Sequence, residues 1–339
     1  MPDRLSVSSN DDMAVLVREN LVWDSHAGIF PDPDADLDGV TQWLDDGVNY
    51  VSLNIGFDVL SWEASVQTLV AYRRRLQAMA DKIIVIRTTA DILQARAKGK
   101  LAVSFDIEGA NALNDDLGMV SAYHDLGVRQ MLLAYNLNNA AAGGCHDDDM
   151  GLTEFGSEIV EEMNRVGMIV DCSHAGYRTT IDMIERSATP AVFTHSNPVA
   201  LCAHQRNILD DQIKLCAEKG GVVGINGMGI FLGENTVDDS VFADHACYVA
   251  DLVGPDHVGV GLDYKPPSKT APNLGEVLRS RPDYWPAGQR YDTPSIKLVS
   301  PQQLPGICTI LAKRGWSKAD LTGFLGGNFM RVAVEAWSA

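Results

Sequence analysis

Short apolar runs alternate with helix-period segments along almost the whole of this 339-residue chain, and that alternation restricts the fold more than any other feature. The runs at 21–24, 48–54, 101–107, 128–135, 167–173, 190–194, 221–226 and 257–262 are rich in Val, Ile, Leu and Phe and read as buried strands. Between them lie segments such as 153–167 (TEFGSEIVEEMNRVG) and 210–220 (DDQIKLCAEKG), which have helical spacing and a glycine stop. Strands separated by helices pair in parallel, and right-handed crossovers curl eight such units into a barrel. The expectation is an α/β fold, a (β/α)8 TIM barrel spanning 1–339 as one domain. A ninth run, KIIVIRT at 82–88, exceeds the count and reads as an accessory strand inside an insertion at 55–100. The stretch 264–305 is rich in Pro, Gly and charge. Following the last strand, it is expected as a long loop over the barrel mouth, either a substrate lid or a passive excursion.

Composition narrows the function. A net charge of −18 would repel phosphates and argues against nucleic acid; its ordinary meaning is solubility. No stretch approaches the roughly 20 apolar residues of a membrane span, and the polar start MPDRLSVSSNDD does not resemble a signal peptide. Six cysteines are scattered without CxxC spacing, which predicts neither disulfides nor a thiolate zinc site and fits a reducing cytoplasm.

Four metal-capable side chains stand where apolar runs end: His26 in LVWDSHAG, Glu108 in LAVSFDIEG, His174 in MIVDCSHAG and His195 in PAVFTHSN. The C-terminal ends of barrel strands converge on one point, so residues far apart in sequence meet there. Each histidine alone reads equally well as a structural, hydrogen-bonded residue. Four ligands at equivalent strand ends point to a shared divalent cation, zinc by default for imidazole and carboxylate donors, with manganese, iron or cobalt also compatible. Asp263, in HVGVGLDY on the last strand, suits a proton shuttle or else a helix cap. Arg206, in CAHQRNILDD, suits a bidentate clamp on a substrate carboxylate or else a surface pair with Asp210 or Asp211.

The stretches VWDSHAG, FDIEGAN, LTEFGSEIVEEMNRVGMIVDCSHAG, PAVFTHSNPVALCAHQRNILDD, VGVGLDY and FLGGNFMRV together resemble the membrane (renal) dipeptidase family of metallopeptidases, within the amidohydrolase superfamily. The resemblance implies a barrel whose metal centre hydrolyses dipeptides, with a D-residue tolerated on the C-terminal side. It implies one metal on His26 and Glu108 and another on Glu108, His174 and His195, with Glu108 bridging. Arg206 takes the substrate carboxylate, Asp263 handles the proton or the substrate amine, and the protein is a homodimer.

The chain departs from that pattern in three places. The family's His-x-Asp reads His26-Ala27-Gly28, removing a carboxylate from the first metal site. A family histidine that holds the reacting carbonyl is replaced by Tyr135, whose phenol can still donate one hydrogen bond. Asp-Phe-Asp reads Asp263-Tyr264-Lys265. One metal firmly held by Glu108, His174 and His195, with a second weak or absent, is the expectation; Asp32, Asp34 or Asp36 could replace the lost ligand. Three functions follow: a cytoplasmic dipeptidase, a hydrolase of a non-dipeptide amide or lactam bearing a carboxylate, or a non-hydrolytic metal-binding barrel.

Overall fold

The computed structural model describes residues 10–268 and 274–337; residues 1–9 of the polar start, 269–273 of the expected mouth loop and 338–339 lie outside the described residues. Among those described are eight strands: β1 (Trp23–Ala27), β2 (Tyr50–Phe57), β3 (Ile83–Val85), β4 (Leu101–Glu108), β5 (Val128–Leu132), β6 (Ile169–Asp171), β7 (Val223–Asn226) and β8 (Val258–Gly261). All pairings are parallel. β2 and β4 are buried at every position, as strands covered on both faces must be.

The sheet curls in the order β1-β2-β4-β5-β6, and β3 adds to one edge of β4, beside the first half of that strand, while β5 takes the second half. The run at 82–88 is thus an accessory strand. It lies between the helices Trp62–Ala78 and Thr89–Ala97. Each is started by a hydroxyl cap, Ser61 accepting from the Ala64 amide and Thr88 from the Asp91 amide.

The expected circle of eight laddered strands is only partly realised. β7 and β8 form a separate two-stranded sheet, linked to the rest by single parallel bridges. The run at 190–194 bonds both neighbours, Val192 bridging Asp171 and Phe193 bridging Val223, for one step each. Pro190 brings no amide proton, and the Thr194 amide is taken by the Asp171 carboxylate, so no ladder propagates. On the other flank Ala27 bridges Tyr264, and Asp24 accepts the Leu262 amide in place of backbone.

The long helix from the sequence pattern at 153–167 is Glu154–Val166, capped by the Thr153 hydroxyl and ended by Gly167 at φ +83°. Residues 264–305 hold a helix at Leu274–Ser280 and short turns, and bring Leu278, Trp285 and Tyr291 against Phe57 and Tyr135. All four metal-capable residues stand at one end of the strands. His26 lies within β1, Glu108 closes β4, His174 lies three residues beyond β6, and His195 follows the 192–193 bridges.

Candidate metal centre

Strand pleating alternates side chains between faces, so Ser104, Asp106 and Glu108 project from the same face of β4. Glu108 Oε1 sits in the middle of a ring of imidazoles: His195 Nε2 at 3.4 Å, His174 Nε2 at 3.5 Å and His26 Nε2 at 3.6 Å. His174 Nε2 and His195 Nε2 are 3.1 Å apart. His26 and His195 stack with ring centroids 4.0 Å apart. The other carboxylate oxygen, Glu108 Oε2, accepts from Asn54 Nδ2 at 2.6 Å, which fixes the direction of Oε1.

The hydrogen bonds behind the rings determine which nitrogen carries the proton. Asn136 Nδ2 donates to the Tyr284 carbonyl, so its Oδ1, 2.6 Å from His174 Nδ1, can only accept, and the proton is on Nδ1. The Thr194 hydroxyl donates to Asp171 Oδ2 at 2.6 Å and therefore accepts from His195 Nδ1 at 2.7 Å. Both Nε2 atoms are consequently bare lone pairs, facing each other and a carboxylate oxygen.

Such a set repels itself unless a cation lies between its members, and Glu108 Oε1 is buried with no hydrogen-bond donor among the described residues. Donors on a tetrahedral cation at about 2.0–2.2 Å stand roughly 3.4 Å from one another, which these spacings match. The donor set fits a divalent ion such as zinc.

Electrostatics agree. Burial, with Arg206 (for His174) and His26 (for His195) as the next causes, holds both imidazoles well below the usual histidine range, so they are neutral and able to ligate. Burial pushes Glu108 up to about 8, beside Asp106 and Asp263. His26 is also penalised by burial, but the Asp106 and Glu108 carboxylates outweigh this and lift it to about 10.

The remaining candidates fall into two groups. Asp263 Oδ1 is 3.9 Å from His26 Nε2, its Oδ2 accepts from Asn226, and burial raises its pKa above the ordinary aspartate value. It starts no helix, so the capping alternative does not apply. Tyr135 stacks on His174 at 4.2 Å, and its hydroxyl accepts from Trp285 Nε1 at 3.1 Å, leaving the phenolic proton free to donate. Both line a cavity of about 460 Å³ with the four metal-capable residues. Much of its wall is apolar, including Phe57, Met228, Phe231, Leu278, Trp285 and Leu298, and Asp32, Asp34, Asp36 and Lys265 line it as well.

Arg206 does not face that cavity. It is buried behind it, Nη1 donating to Ser196 Oγ and Nη2 to the His195 carbonyl, and it borders a neighbouring cavity that His174 also lines. Its Nε has no partner among the described residues. Asp210 and Asp211 instead accept from Tyr248 and Tyr177, so the surface-pair alternative fails.

At position 28 a Cβ would lie 2.4 Å from the Asp263 carbonyl oxygen and 2.7 Å from its Oδ1; glycine is there because Asp263 fills the space. Asp32 and Asp36 are engaged within their own loop, accepting from the Asp34 and Asp38 amides, and Asp34 is paired outward with Arg75. Asp106, Asn54, Asn136, Thr194 and Asp171 escaped the sequence reading. Asp106 alone had a local sign, the polar alternation Ser104-Asp106-Glu108.

Fold and site together define an α/β protein of parallel strands with a metal-capable cluster of imidazoles and carboxylates at the strand ends. The chain belongs to the membrane dipeptidase family (Peptidase family M19), whose sequence pattern matches residues 17–281. It is 29% identical over 258 residues to the protein described as Uncharacterized dipeptidase C965.12 of Schizosaccharomyces pombe, covering 72% of this chain and 59% of that one. Dipeptidase 3 of Rattus norvegicus is 27% identical over 346 residues, 98% of this chain and 65% of its own length. The chain thus spans about three fifths to two thirds of the length of these relatives. Among solved structures, an amidohydrolase from Pseudomonas aeruginosa superposes with a TM-score of 0.85 at 28% identity, over 96% of this chain and 99% of that one. Among the described residues no helix is long and apolar enough to cross a membrane.

Proposed function

We propose that the chain is a metal-dependent hydrolase that cleaves the amide bond of dipeptides, and that its strand-forming segments close into one (β/α)8 barrel domain through the single bridges at 192–193 and Ala27–Tyr264. The observation that carries the activity is the convergence of His174 Nε2, His195 Nε2 and Glu108 Oε1, with proton positions set by Asn136 and Thr194. Family membership supports the same reading. Glu108, His174 and His195 would hold one zinc ion firmly, and His26 with Glu108 a second one weakly. When bound, the cation supplies Lewis acidity, polarising a carbonyl and making water acidic enough to attack near neutrality.

The chain's own residues do the rest. The Tyr135 phenol donates to the carbonyl oxygen as it gains negative charge. Asp263, made more basic by burial, takes the proton released by the attacking water and delivers it to the departing amine nitrogen as the C–N bond breaks. Arg206, whose Nε–H is uncommitted, would receive a substrate carboxylate that reaches past His174 into the neighbouring cavity both residues line. A cytoplasmic location, supported by six free thiols, and a homodimer belong to the same proposal.

The apolar wall of the cavity favours a second reading, an amide or lactam carrying a bulky apolar group beside its carboxylate. A panel of L-Xaa–D-Xaa and L-Xaa–L-Xaa dipeptides against N-acyl amino acids, assayed with zinc-loaded enzyme, separates the two. Turnover of several dipeptides is expected. Turnover of N-acyl compounds alone would support the second reading, and none of either would favour a non-hydrolytic protein.

A further inference from the structure

Asp106 is 2% exposed and stands two residues before Glu108 on the same face of β4. Neither of its oxygens has a hydrogen-bond partner of good geometry among the described residues. The group beside it is His26 Nδ1, 3.3 Å from Oδ1. A carboxylate buried in that way is strongly disfavoured unless positive charge faces it.

The three imidazoles of the centre are backed differently. His174 has a neutral amide behind it, and His195 has a hydroxyl that relays to Asp171. Only His26 has a carboxylate directly behind its ring. It is also the imidazole whose loop lacks an acid two residues on, because Asp263 occupies the space a side chain at Gly28 would need; Asp32 and Asp36, further along, already accept from the Asp34 and Asp38 amides.

We propose that Asp106 supplies, from strand β4 and through the His26 ring, the negative charge that position 28 does not, and thereby sets the affinity of the His26 half of the metal centre. Its carboxylate accepts the Nδ1 proton, leaves the Nε2 lone pair directed at Glu108 Oε1 and makes that nitrogen a stronger donor. Asp106 touches neither cation nor substrate, so it is a positioning residue. The inference rests on the metal-dependent reading above, and it shifts the origin of the compensating charge from the β1 loop to the floor of the sheet.

The test counts zinc equivalents and their affinities by chelator competition on the full chain, for wild type, Asp106→Asn, Asp106→Ala and Asp106→Glu. The wild type is expected to take one tight and one weaker equivalent. Asp106→Asn, which keeps the shape and removes the charge, weakens the second by about 10–100-fold and leaves the first within twofold. Asp106→Ala does at least as much, and Asp106→Glu recovers part of the loss. In parallel, nitrogen-15 spectra of histidine-labelled, zinc-loaded wild type, assigned through His26→Gln, should place the His26 proton on Nδ1. That measurement can still overturn the inference if the Asp106 variants do not fold. A single equivalent in the wild type, two unchanged equivalents in Asp106→Asn, or a His26 proton on Nε2 would each overturn the inference while leaving the tight site intact. Failure to bind any zinc would overturn the metal-dependent reading as well.

Discussion

Placing at position 28 the acid that the resemblance leads one to expect, by Gly28→Asp, should damage this protein. The new Cβ would sit 2.4 Å from a backbone oxygen and 2.7 Å from a carboxylate oxygen of Asp263, both closer than real Cβ contacts come. The first overlap involves backbone and cannot be relieved by a side-chain rotation. Asp263 already lies at φ +52°, a conformation with little room to yield. Overpacking of this kind costs about 1–3 kcal/mol. With an unfolding entropy of about 0.7 kcal/mol/K for a chain of this length, 2 kcal/mol lowers Tm by about 3 °C. Displacing Asp263 should also lower kcat, since its carboxylate is the proposed proton carrier. Gly28→Ala isolates the steric part and should lose most of the same stability. Melting scans with and without zinc, metal analysis and initial rates on one dipeptide measure all three effects. A Gly28→Asp variant that melts within 1 °C of wild type and gains a second tight zinc would refute the reasoning.

Three further outcomes are expected. Glu108→Gln keeps the shape and the bond from Asn54 but removes the shared anion; it should release zinc on dialysis and lose at least a thousandfold in kcat/KM, while circular dichroism stays unchanged. Tyr135→Phe removes a single donor and should lower kcat by about 10²–10³ with KM little changed, as seen in steady-state rates. Asn136→Leu frees the His174 tautomer and should weaken the tight zinc by about 10–100-fold in chelator competition.

The strand positions and the four metal-capable residues were legible because each lies where an apolar run meets polar chain, a purely local signal. β1 runs further than its apolar core because Asp24, Ser25 and His26 are buried polar residues; Ser25 Oγ donates to the Val260 carbonyl across the gap between sheets. That contact, like the Asp24 bond to Leu262, joins residues more than 200 positions apart, and no local pattern carries it. The groups that set the imidazole protons were hidden for the same reason, Asn136 lying 38 residues from His174 and Asp171 lying 23 from Thr194. Arg206 was found as a residue, but no local pattern showed that its fork closes on Ser196 and the His195 carbonyl and leaves only Nε uncommitted. Gly28 read as a loss in sequence; in space it is a position where a side chain would collide with Asp263.

The claim beneath all of this is that one cation sits among His174, His195 and Glu108. Crystals soaked in zinc and measured across its absorption edge should give an anomalous peak about 2.0–2.2 Å from His174 Nε2, His195 Nε2 and Glu108 Oε1. Zinc bound only elsewhere, with those three atoms free of it, would contradict the account.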